Sequence, residues 1–322
     1  MTALWTERVL RVLDNPLIVK DGVSRMRSWR APVILTVYLG LLGSFGYAIF
    51  VLASLYTGQR TGSAMIGSTV FGALALIQLS LVSLFAPALA AGAISSERER
   101  QTFDVLLVSR VSAAGIVWGK LIGSIAFMML LILAALPLFA AVFLFGGIDF
   151  EQFLVTQVLT VSTALSIGAV SLFLSALFRR TLASTVAAYG VAFFGMVGTW
   201  VAGTIFTVVI TVRSAATALD GTGADVHPLL FTNPLFAMNI VLNSPNGAPM
   251  HIGRLLQLMF VTSGPSAGGP LLEPWQATVL VQLVLVGLSI FGAVQLVQNR
   301  RAPAPRRPAA EAAVPIEAGS EV

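Results

Sequence analysis

The residues best equipped for chemistry lie in one short polar stretch, Ile94-Ser-Ser-Glu-Arg-Glu-Arg-Gln-Thr-Phe-Asp-Val-Leu-Leu-Val-Ser109. Glu97, Arg98, Glu99 and Arg100 alternate carboxylate and guanidinium and make a dense charged step. Ser96 and Glu99 have the spacing of a capping box, in which each side chain bonds the other's backbone N–H. Beyond them Phe103, Leu106 and Leu107 fall at i, i+3 and i+4, one apolar patch on a short helix that Thr102 can cap, with Asp104 beside it and Ser109 at its end. Such a patch is built for contact. It either lies on a membrane surface or fits a groove in a partner protein, and the residue pattern leaves both open.

Other chemistries find no support. The chain has no cysteine, which removes disulfides, thiolate metal sites and thiol catalysis. His227 and His251 have no further His or Cys near them to complete a metal site and are expected to be polar loop residues. The nearest approach to a phosphate-cradling loop, Gly115-Ile-Val-Trp-Gly119-Lys120-Leu121, is one residue short. It also ends in leucine instead of a magnesium-binding hydroxyl, so no catalytic, metal or cofactor residue is assigned. An enzyme embedded in a membrane would need His, Asp, Glu or Ser clustered at one depth, and no such cluster is visible.

The elements that must carry the polar stretch follow from composition. Of 322 residues 57% are hydrophobic and 10% charged, far from the ~25% charged of a soluble chain. Six stretches are long and apolar enough to cross a bilayer, near 31–56, 65–94, 121–145, 153–177, 182–212 and 275–297. The predicted fold class is therefore an all-α membrane protein with six transmembrane helices. Sixteen of the nineteen Lys and Arg residues fall on the side holding both chain ends and the loops at 95–120 and 178–181. By the positive-inside rule that side is cytoplasmic, and a multi-pass protein of the plasma membrane is expected. The net charge of +5 comes from these short clusters, a pattern for lipid headgroups and not for nucleic acid.

Three flanking regions complete the layout. Residues 1–30 read as a cytoplasmic amphipathic leader helix in the membrane plane, started by Asp14-Asn15-Pro16, with Lys20, Arg25, Arg27 and Arg30 reaching lipid phosphates. Residues 298–322, rich in Ala, Pro, Arg and Glu, read as a disordered cytoplasmic tail. The outer segment 213–274 is too long for a connector. It contains Asn233-Pro234 as a helix start and two short apolar stretches, 235–242 and 252–261, expected as re-entrant or interfacial helices between spans five and six. No predicted span carries Asp, Glu, Lys or Arg, so a proton- or sodium-coupled carrier is disfavoured and the driving force is expected from outside the chain. Glycines such as Gly40, Gly43, Gly46, Gly195 and Gly198 are expected to let helices approach closely within one subunit.

The stretch 95–120 resembles the first cytoplasmic loop of the type-2 ABC transporter permeases, whose pattern is E-R-E-x-G-T-x-E-x-L-L, then a Ser/Thr-Pro-x-S step, then I-x-x-G-K. Glu97, Arg98, Glu99, Thr102, Leu106, Leu107, Ser109, Ser112, Ile116, Gly119 and Lys120 match. Asn15-Pro16 with Lys20 resembles that family's leader. Gln101 stands where the pattern has Gly, Asp104 replaces Glu, Asp21 replaces the leader's Glu, and Arg110-Val111 replaces the Thr-Pro step. The resemblance implies that residues 102–109 form a cytoplasmic coupling helix seated in an ATPase subunit, with Glu97 and Glu99 anchoring its base. It further implies a permease subunit of an ATP-driven exporter, partnered by a separate ABC ATPase that holds ATP and Mg, by a second permease copy and by membrane lipids. A non-transporting assembly or scaffold factor on the same fold is the alternative.

Overall fold

The structure is a computed structural model and describes residues 29–57, 63–101, 112–217, 228–243 and 273–299. Most of the leader with Lys20, Arg25 and Arg27, the loop residues 102–111, the stretch 252–261 and the chain beyond Asn299 lie outside the described residues.

Among the described residues every regular element is helical, and six helices have the length and hydropathy to cross a membrane. Span 1 is α1 (Arg30–Thr57) and span 2 is α2 (Ser63–Ala90); a short α3 (Ser95–Glu99) follows. Span 3 is α4 (Ala113–Phe143) and span 4 is α5 (Phe150–Leu177). Span 5 consists of α6 (Thr181–Phe193), a π-helical turn at Phe194–Gly198, and α7 (Thr199–Thr217). A 3-10 turn (Pro228–Thr232) leads to α8 (Pro234–Leu242), and span 6 is α9 (Pro274–Asn299). Span 3 begins at Ala113, not near Leu121, because Ser112 caps it by accepting from the Gly115 N–H at 3.0 Å. The last helix likewise runs through Gln298 and Asn299, two residues into the expected tail.

Span 4 is the hub. It packs against spans 2, 3 and 6, the first half of span 5 and α8. Its hydroxyls avoid being orphaned in apolar surroundings by donating one turn back: Thr156 to the Gln152 carbonyl, Thr160 to Thr156, Thr163 to Leu159 and Ser171 to Ile167. In one long cluster, Tyr38 and Leu42 of span 1 join Phe71, Leu74 and Leu79 of span 2. Leu131 and Phe139 of span 3, Leu159 of span 4, and Ala237 and Met238 of α8 complete this cluster. A second cluster at the charged end gathers Ile94, Val117, Leu121, Leu172, Ala176 and Val297.

The short α8 is held at both ends and is buried, not loose on the surface. Asn233 caps its start, Oδ1 accepting from Leu235 N at 2.8 Å and Phe236 N at 3.2 Å. The same side chain's Nδ2 donates to the Met196 carbonyl inside the π turn and to Thr199 Oγ1. Gln152 Nε2 of span 4 closes the other end, donating to the Val241 carbonyl at 2.9 Å. Thr278 of span 6 donates to the Phe231 carbonyl at 2.7 Å, so the segment ties three spans together.

Close approach at glycine follows a different map from the expected one. Gly46 does press on Leu74, but a Cβ added at Gly40, Gly43 or Gly195 would meet open space. Among the described glycines the tightest contact is in the turn between spans 3 and 4, where Gly147 has φ +80° and an added Cβ would sit 2.2 Å from the Ala64 carbonyl oxygen.

Candidate functional site

The charged step emerges at one end of the bundle as a clasp between three spans. Span 2 proper ends at Ala90, and 28 residues already cover ~42 Å at 1.5 Å each, more than the ~30 Å hydrocarbon core. A turn at 91–94 and α3 therefore lie beyond the membrane-spanning helix. The turn is held by serines. Ser175 Oγ of span 4 accepts from the Ile94 and Ser95 N–H groups, both at 3.0 Å. Ser184 Oγ of span 5 donates to the Ala91 carbonyl at 2.7 Å, so two neighbouring spans grip the turn.

The charges then fix α3. Lys120 Nζ, two turns into span 3, donates to Glu97 Oε1 at 2.6 Å, in a pair that is largely withdrawn from solvent. Arg98 Nη1 donates to the Phe178 carbonyl at the end of span 4, 3.1 Å away. Glu99 takes the N-terminus of span 5: Oε1 accepts from Thr181 N at 2.9 Å, and Oε2 accepts from the Thr181 hydroxyl. A carboxylate on the first N–H of a helix suits the positive end of its dipole. The Thr181 hydroxyl first, then the Thr181 N–H, hold the Glu99 carboxyl below its usual range, aided by Arg180. Glu99 therefore fastens the clasp at neutral pH, and the fastening is lost as pH falls through that lowered range.

This corrects the capping box expected from Ser96 and Glu99. The residue before α3 is Ile94, which supplies no side-chain cap, and Glu99 turns outward to span 5 instead of back to Ser96. Lys120, a match to the I-x-x-G-K step, is the partner of Glu97. Arg100 closes α3 through its backbone N–H, which bonds the Ser96 carbonyl. Thr102, Phe103, Asp104, Leu106, Leu107 and Ser109 lie outside the described residues, and of Arg30 only the backbone at the start of span 1 is described. The sequence reading missed Thr181, Ser175 and Ser184, since lone hydroxyls in apolar runs carry no motif. The one available signal was the four-residue turn 178–181, which forces spans 4 and 5 to be neighbours.

Gln101 follows the clasp with φ +58°, the left-handed region that glycine occupies without strain. It stands where the resembled pattern has Gly, so the backbone there keeps the shape that a glycine would favour.

Six apolar helices and a polar clasp at one end define a multi-pass α-helical membrane protein. A family model described as "ABC-2 family transporter protein" matches residues 51–294, about three quarters of the chain. The chain belongs to that family and is a membrane permease of ABC-type transport. A comparison with curated proteins gives no match.

Proposed function

We propose that this chain is the permease subunit of an ATP-binding-cassette exporter in the plasma membrane, with both termini cytoplasmic. It works as a dimer, homomeric or heteromeric, driven by a separate ATPase that holds ATP and Mg. The observation that carries this reading is the clasp. The loop 102–111 follows α3 in the chain, and α3 is bonded to span 3 through Glu97–Lys120 and to the start of span 5 through Glu99–Thr181. A push on the loop is therefore delivered to two spans at once. Span 5 is the one able to answer, being little packed on its neighbours.

In this reading Phe103, Leu106 and Leu107 fill a groove of the ATPase, each contributing about 1.5–3 kcal/mol when fully buried. Asp104, Thr102 and Ser109 set the helix that presents them. ATP-driven approach of two ATPases presses the paired loops, and the clasp tilts spans 3 and 5 to open an outward path. The exposed apolar faces of span 1 (Val37, Leu41, Phe45) and span 5 (Phe194, Val201, Ile205) offer the surface for the second copy.

The test is co-purification of a Mg-dependent ATPase with the tagged chain from native membranes. Phe103→Asp should abolish co-purification. Glu99→Gln should retain the ATPase while substrate movement falls about ten-fold or more, the scale expected when a positioning contact is lost. Transport by the chain alone, or normal ATPase capture by Phe103→Asp, would sink the coupling role. Normal capture of ATPase with no cargo moved would favour a scaffold.

A further inference from the structure

Spans 5 and 6 both pack on span 4, and between them lies a cleft of about 110 Å³. Thr163 and Ser166 of span 4, Met196 of the π turn, Thr232 and Gln282 of span 6 line it. Val191 and Leu285 also line it and are both exposed, so the cleft reaches the surface of the bundle.

The polar lining has hydrogen-bonding capacity left over. Gln282 is only 4% exposed, its Oε1 accepting from Ser162 at 2.6 Å and its Nε2 donating to Thr163 Oγ1 at 2.9 Å. A primary amide has two N–H donors and two acceptor sites, so each end can bond once more. Ser166 is 5% exposed and, among the described residues, its hydroxyl has no partner, although Thr160, Thr163 and Ser171 on the same helix all donate one turn back. A hydroxyl that lines the cleft with no protein partner is free to bond a ligand there.

The chemistry of that ligand is bounded by the lining. No Asp, Glu, Lys, Arg or His lines the cleft, so a charged group would lose its hydration with nothing in exchange. A cavity of ~150 Å³ holds benzene, so this smaller one admits a polar group and a few carbons. The rest of the molecule must leave past Val191 and Leu285 into the bilayer. We propose that the cleft binds the polar end of an uncharged membrane amphiphile, an alcohol, ester or amide, through Ser166 and Gln282. The site goes beyond the coupling role and needs no ATPase.

The experiment uses the full chain in lipid nanodiscs, without ATPase, and two photoreactive probes: a diazirine-bearing octanol and a diazirine-bearing octane. The alcohol should label Val191, Met196 and Leu285 saturably, and the alkane should not saturate there. Ser166→Ala should raise the half-saturating alcohol concentration about five-fold, the loss of one ordinary hydrogen bond. Ala192→Phe should fill the cleft and remove the labelling, with folding checked by gel filtration. Equal labelling by both probes, or a Ser166→Ala curve that overlays the unaltered chain, overturns the site. Because no ATPase is present, either result leaves the coupling reading untouched.

Discussion

Spans 4 and 5 are neighbours in sequence and in space, and their apolar windows have the same mean hydropathy, 1.9. Yet 61% of that window is buried in span 4 and 11% in span 5. Hydropathy commits a helix to the membrane but does not place it in the bundle, because lipid tails are as apolar as any neighbouring leucine. Hydroxyl content does not separate them either, with seven Ser and Thr in 150–177 and six in 181–210, but the fate of those hydroxyls does. Span 4 buries Thr156, Thr160, Ser162, Thr163, Ser166, Ser171 and Ser175, whereas the described part of span 5 buries Ser184 and Thr207. Small polar side chains allow close packing and cross-helix bonds, and Ser175 and Ser162 use theirs that way. A tightly held centre beside a loosely held neighbour is an arrangement that lets one helix move while the rest stays.

The largest break in this contrast comes from emptying the centre. Leu159 of span 4 is fully buried, and Leu159→Ala should cost roughly 2 to 3 kcal/mol, mostly as a cavity, since lipid takes the place of water as the reference. Ile205→Ala in span 5, where the side chain is more than half exposed, should change stability by less than about 0.5 kcal/mol. Thermal unfolding in detergent, followed by gel filtration, checks both. Equal effects would mean that span 5 is packed as firmly as span 4.

Much of this was legible in advance. The six spans follow from length and composition, and Asn233-Pro234 announced the start of α8 through capping and the fixed φ of proline. The clasp was legible only by halves. Glu97, Glu99 and Lys120 stood out as charges beside apolar runs, but Thr181 as a partner depends on how spans 2 and 5 meet, which no local pattern encodes. The π turn at 194–198 was likewise invisible, because its sequence, Phe-Gly-Met-Val-Gly, is as apolar as the helix around it. The glycines misled for a related reason: small size permits close approach without requiring it, and Gly40, Gly43 and Gly195 face open space.

A smaller effect tests what little holds span 5. Asn233 bridges the π turn to α8, so Asn233→Ala removes a helix cap and a bond to the Met196 carbonyl together. The expected loss is about 1.5 kcal/mol, near the upper part of the range for capping residues. It should appear as faster hydrogen exchange in α8 and around Met196, with the middle of span 4 unchanged. Exchange that speeds up across the whole chain would mean that α8 belongs to the core and does not tether span 5.

The smallest effect lies at the clasp that joins the buried centre to its exposed neighbour. Gln101 holds φ +58°, at a strain of about 1–2 kcal/mol for a residue with a Cβ. Gln101→Gly relieves the strain but gives the unfolded chain more freedom, an offset of about 0.5–1 kcal/mol, so the net gain should be near 0.5 kcal/mol. The gain should be local: a modest rise in melting temperature and slower exchange at Thr181, whose N–H is covered by Glu99. If the variant is instead destabilised, the positive φ at residue 101 is not a strained one.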